Sequence, residues 1–228
     1  MTTVVTCPHP PLLLRPLSGT QDVVEELRVA CLTALQPVVS VNPAVIVVVG
    51  GADRAGEWDA DTPVDVRRFG TTGPRTGPGL PLSLGVGRWL LDEVGWTGRT
   101  ELLAVCWDTS DGDLEALAAR LLARADSENL AVLLLGEGST RRGATAPGFL
   151  DERAFPFDDV VADALDSGEG GELRSLDDTL ARELMVSGRA VFRLLGQLVA
   201  STDRPASAEL DYRDDPFGVS YFVATWQL

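Results

Sequence analysis

The sequence predicts an α/β fold: one αβα sandwich over residues 1–228, with a mostly parallel central sheet and a C-terminal antiparallel hairpin. Three observations predict it. Short apolar runs at 2–7, 44–49, 102–106 and 130–135 lack polar alternation, the mark of strands buried on both faces. Between them lie segments whose apolar residues recur at helical spacing. This alternation, sustained to about residue 166, calls for right-handed βαβ crossovers and a sheet covered on both sides.

The elements follow in order. The first strand ends at Cys7, because Pro8, Pro10 and Pro11 cannot continue a ladder. Thr20 or Asp22 opens a helix running to Gln36, with Val23, Val24, Leu27, Ala30, Cys31, Ala34 and Leu35 on one face and Pro37 as its stop. The 44–49 strand runs into Gly50-Gly51-Ala52-Asp53, a strand-end loop. Residues 64–69 read as a short strand, and 71–80, rich in Gly and Pro, as a loop. A helix over 81–94 stops at Gly95. The 102–106 strand empties into Trp107-Asp108-Thr109, and a helix over 113–125 leads to the 130–135 strand. Residues 136–156 form a long loop, 157–166 a helix and 167–171 a polar hinge. Ser175 and Asp178 resemble a capping box, and Gly188 divides that helix from one over 189–200. Strands at 208–212 and 219–226, joined by a turn-forming 213–218, complete the hairpin.

Composition narrows the function. The net charge of -15 and pI near 4.4 exclude a nucleic-acid surface and an anionic-membrane surface, both of which need a basic patch. All 19 basic residues are arginine, which removes Schiff-base and Walker-type lysine chemistry. Cys7, Cys31 and Cys106 are widely spaced and odd in number. With no membrane-length apolar run and no basic leader before the first strand, they point to a reduced cytoplasmic compartment. A small-molecule ligand is the expected partner, and homo-oligomerisation is compatible with the same features.

Ligands of open α/β sheets bind beyond the C-terminal strand ends. The loops 8–16, 50–58, 107–112 and 136–149 should therefore share one rim. His9, the only histidine, stands on the first, as a metal ligand, a catalytic base or a loop-fixing hydrogen-bond donor. Asp53 stands on the second, as a ligand or a turn cap. The loop Gly136-Glu137-Gly138-Ser139-Thr140-Arg141-Arg142-Gly143 offers backbone N–H groups and two guanidiniums to a carboxylate or phosphate. The competing reading pairs Arg141 and Arg142 with Asp151, Glu152, Asp158 or Asp159. Asp211, Asp214 and Asp215 are further carboxylates in the hairpin.

Three pieces together resemble a family: Cys7-Pro8-His9-Pro10-Pro11-Leu12-Leu13, Leu133-Leu134-Leu135-Gly136-Glu137-Gly138-Ser139, and Pro216-Phe217-Gly218-Val219-Ser220-Tyr221-Phe222-Val223. In order and spacing they are similar to the class III extradiol ring-cleavage dioxygenases, the catalytic B subunit and the Memo-like proteins. The resemblance implies non-haem Fe(II), with His9 as a ligand. It also implies a second metal histidine after the next buried strand, which here ends in Gly50-Gly51-Ala52-Asp53 with no histidine. The catalytic histidine it implies falls near Thr140. One histidine cannot supply two imidazole ligands and a third, catalytic one.

The expectation is thus a dioxygenase-like protein that has lost its Fe(II) ring-cleavage site and binds no cofactor. Its pocket, lined by His9, Asp53, Glu137, Ser139, Thr140, Arg141 and Arg142, would hold a small anion or aromatic acid. Two alternatives stand beside it. One is an enzyme of altered chemistry, with Mg²⁺ or Mn²⁺ on Asp53, Glu137 and a late aspartate and with His9 as base or ligand. The other is a protein-interaction scaffold with a vestigial pocket.

Overall fold

Strand alternation decides the layers. In the computed structural model, which describes residues 2–19, 21–64, 66–69, 79–202 and 206–228, every residue of β5 (Leu130–Leu135) is buried. Its even-numbered side chains, Leu130, Val132 and Leu134, enter one core, and the odd-numbered Ala131, Leu133 and Leu135 enter a second. β2 (Val45–Ala52) divides likewise, with Val45, Val47 and Val49 on one side and Ile46 and Val48 on the other. This is the period of two imposed by the pleat, applied to strands with no polar face.

The sheet has seven strands in the order β3-β4-β2-β5-β1-β7-β6. β1 (Thr3–Cys7), β5, β2 and β4 (Arg99–Cys106) are parallel neighbours. β7 (Tyr221–Gln227) runs antiparallel to β1, and β6 (Ser207–Asp214) antiparallel to β7, forming the expected C-terminal pair. β3 (Gly56–Trp58) folds back against β4 and was not foreseen, since three residues give no periodic signal. One face of the sheet carries α1 (Glu25–Ser40) and α2 (Leu82–Glu93). The other carries α3 (Asp111–Ala125), α4 (Ala154–Ser167), α5 (Gly170–Arg174), α6 (Asp178–Glu183) and α7 (Arg189–Ala200). Among the described residues no helix is long and apolar enough to cross a membrane.

Several boundaries differ from the sequence reading. Pro37 lies inside α1, and the helix continues to Ser40; in the last turn a proline costs one backbone bond, and Pro37 O still accepts from Val41 N. Val23 is exposed, outside the helix that begins at Glu25, and Thr20 lies outside the described residues. The expected strand at 64–69 is a 3₁₀ turn at Val66–Phe69. Of the 71–80 loop only Gly79 and Leu80 are described. Ser175 is no N-cap: it ends α5, and the Asp177 carboxylate caps α6 by accepting from Thr179 N and Leu180 N. Gly188 does mark the start of α7, and Ser110 caps α3 two residues earlier than expected.

Leu133 is fully buried at the centre of the sheet. Leu133→Ala is expected to cost about 2–5 kcal/mol, because the surrounding strands cannot collapse onto the cavity. A urea unfolding midpoint lowered with unchanged slope would report this; an unchanged midpoint would contradict the packing described.

Candidate functional site

Parallel register brings the strand ends together. Cys7 lies opposite Leu135, Leu135 opposite Gly50, and Ala52 opposite Cys106. The segments that follow therefore leave one edge of the sheet. Gly136 N extends the ladder by donating to Cys7 O at 3.0 Å. The next residue, Glu137, turns its carboxylate back so that Oε1 accepts from His9 N at 3.1 Å. His9 and Glu137 are 5% and 9% exposed, so this is a buried contact between chain segments 128 residues apart.

The loop carrying His9 is held from behind. Pro11–Leu13 and Arg15–Leu17 form 3₁₀ turns. Arg28, buried on α1, donates to the carbonyls of Leu12 and Leu13 and to Ser18 Oγ, and pairs with Asp22 at 2.8 Å. A buried guanidinium with its donors satisfied this way fixes the loop against the helix. Neighbouring Arg28 holds the Asp22 carboxyl below its usual range.

Gly50 and Gly51 are strand residues, and their missing side chains make room. A Cβ on Gly50 would lie 2.4 Å from Ser83 Oγ, which donates to Gly51 O at 2.8 Å. A Cβ on Gly51 would lie 1.9 Å from the Trp107 ring. The Trp107 indole N–H donates to Asp53 Oδ1 at 3.2 Å. On the far side Arg189, on α7, pairs with Asp108 at 3.0 Å and ties the Trp107 segment to the Ser187 segment. Ser187 Oγ stands 3.5 Å from Glu137 Oε2.

These groups enclose a cavity of about 500 Å³, within the range of small-molecule sites. His9, Glu137, Ser83 and Ser187 form its inner polar end; Trp58 and Trp107 are its large aromatic residues; exposed Asp53 and Arg54 stand at its mouth. His9 Nδ1 is buried with no hydrogen-bond partner among the described residues. Tyr221 is buried nearby, where desolvation and then the charge of Glu137 push its hydroxyl well above the ordinary tyrosine value.

Of the residues expected at the site, His9, Asp53 and Glu137 line this cavity, and Ser139, Thr140, Arg141 and Arg142 do not. Ser139 is fully buried; its N–H and hydroxyl donate to Asp158 at 2.9 and 2.6 Å. Arg142 pairs with Asp158 and Asp215 and lies 4.5 Å over the Phe155 ring. Thr140 N donates to Leu184 O, and the Arg141 side chain passes close to Gly148. Burial of Asp158 raises its carboxyl pKa, against the pull of the Ser139 bonds and Arg142. The arginine loop is thus anchored on a buried carboxylate. Arg54, Trp58 and Trp107 lie on the loops 50–58 and 107–112 expected at the rim, though none was singled out as a site residue, and Ser83 and Ser187 were not anticipated. The signal for Ser83 and Trp107 was the Gly-Gly pair closing a strand, which marks a close approach.

The donor set does not fit Fe(II). The facial triad takes two imidazoles and a carboxylate. His9 is the only imidazole, Asp53 is exposed and bonded to Trp107, and no three His, Cys, Asp or Glu side chains among the described residues form a metal-binding group. Of the late aspartates, Asp211 accepts from Thr225 and Asp215 holds Arg142.

No family model matches the sequence, and no curated protein matches it. Among solved structures, the crystal structure of uncharacterized protein JW3007 from Escherichia coli K12 is similar, with a TM-score of 0.56 over 99% of both chains and 14% identity. Likeness at that identity is a likeness of fold.

Two substitutions test this geometry. Gly51 has no left-handed backbone requirement, so Gly51→Ala acts through sterics alone. It should displace Trp107, shift tryptophan emission and cost about 1–3 kcal/mol by overpacking; unchanged emission would contradict the contact. Asp158→Ala strands the Ser139 donors and Arg142, and a loss of about 3–5 kcal/mol is expected from chemical denaturation.

Proposed function

We propose that this chain is a class III extradiol dioxygenase-like protein that has lost Fe(II) ring cleavage and keeps its strand-end pocket to bind a small, planar aromatic molecule. The observation that carries the reading is the make-up of the cavity: a buried imidazole and two indoles in its lining, one of them accommodated by the bare backbone of Gly51. Indole faces offer large, rigid apolar area at low entropic cost, and the few polar groups orient what lies against them. The expected anion clamp rested on Arg141 and Arg142. With Arg142 given to Asp158 and Asp215, the aromatic part of that expectation is the better supported.

Two measurements test the proposal. Protein loaded anaerobically with Fe(II) is expected to consume no oxygen with protocatechuate or related catechols; turnover that disappears in His9→Ala would overturn the loss of iron chemistry. Monocyclic aromatics should perturb tryptophan fluorescence saturably in the wild type, and Trp107→Leu should abolish or strongly weaken the response. A panel with no saturable response would remove the binding reading.

A further inference from the structure

The other buried carboxylate among the described residues, and two partly buried ones, are answered by cations. Asp158 meets Arg142, half-buried Glu101 meets Arg124 at 2.8 Å, and Asp22 meets Arg28. Glu137 is different. It is nine-tenths buried and, among the described residues, no arginine pairs with it. Among the described residues its oxygens accept from the His9 peptide N–H and, at a long 3.5 Å, the Ser187 hydroxyl. A carboxylate removed from water is costly unless paired, and two neutral donors replace little of its hydration. Glu137 is also the buried acid of the cavity lining, which buried His9 shares. Arg54 lines the same cavity but stands exposed at the mouth, as does Asp53.

We infer that the ligand's polar end is a cation, an ammonium group on a small aromatic amine, which Glu137 receives at the inner end of the cavity while Trp58 and Trp107 hold the ring. The inference rests on the aromatic-pocket reading and adds the sign of the ligand's charge. Three features agree with it. An ammonium brings the donors that a buried carboxylate lacks. Indole faces attract cations as well as rings. The chain's net charge of -15 draws cations and repels anions before any contact is made.

The test compares three probes of nearly equal size by calorimetry: benzylamine, benzyl alcohol and benzoate. Benzylamine should bind most tightly and benzoate least. Glu137→Gln, which keeps the shape and removes the charge, should weaken benzylamine roughly ten- to hundredfold and leave benzyl alcohol nearly unchanged. The wild-type ranking needs no variant, so a misfolded Glu137→Gln leaves the test intact. Benzoate or benzyl alcohol binding as tightly as benzylamine would overturn the cation while leaving the aromatic pocket standing. Failure of all three to bind would overturn both.

Discussion

The hydrogen bond from His9 N to Glu137 Oε1 is the constraint on which the site depends. It joins the segments that leave two adjacent parallel strands, and it exists only because β1 and β5 end in register, Cys7 against Leu135. A one-residue slip in that pairing would reverse every side chain of a strand whose two faces feed two separate cores. The hydrophobic division of the sheet therefore fixes the position of one buried carboxylate and one buried imidazole. Arg28 behind the His9 loop and the Ser139–Asp158–Arg142 group behind the Glu137 loop keep both segments in place.

The cavity is made as much by omission as by contact. Gly50 and Gly51 continue β2 without side chains, and Ser83 and Trp107 move into the space. Asp53, just beyond these glycines, accepts from the Trp107 indole. Asp53 thereby orients one aromatic side chain of the cavity lining.

The fold was legible where burial is extreme. The run Leu130–Leu135 reads as a strand without ambiguity, because six consecutive apolar residues between turn-forming neighbours have few other uses. Gly50 to Ala52 read as a loop because glycine suppresses the strand signal, although the neighbouring strands impose extended structure there. Pro37 read as a helix stop because local rules do not weigh a final turn supported by packing against the sheet. His9, Asp53 and Glu137 were recognisable from their places after strand runs. The pairing of Arg142 with Asp158 was one of the two readings the sequence offered; its second partner, Asp215, was not, since it lies 73 residues away and no local pattern encodes that pairing. Trp58 and Trp107 come from β3 and from beyond β4; that their segments share one rim follows from the parallel strand ends, whereas their place in the cavity lining has no local signal.

A single histidine gives this protein one imidazole reporter, placed at the buried end of the cavity. Long-range ¹H–¹⁵N correlation of the His9 ring therefore tests the central claim most directly. An aromatic ligand that fills the pocket should shift the ring nitrogen resonances in proportion to occupancy, while stoichiometric Fe(II) under anaerobic conditions leaves them sharp. Resonances broadened by one equivalent of Fe(II) and unmoved by every aromatic ligand would show that His9 still serves a metal and that the account of this site is wrong.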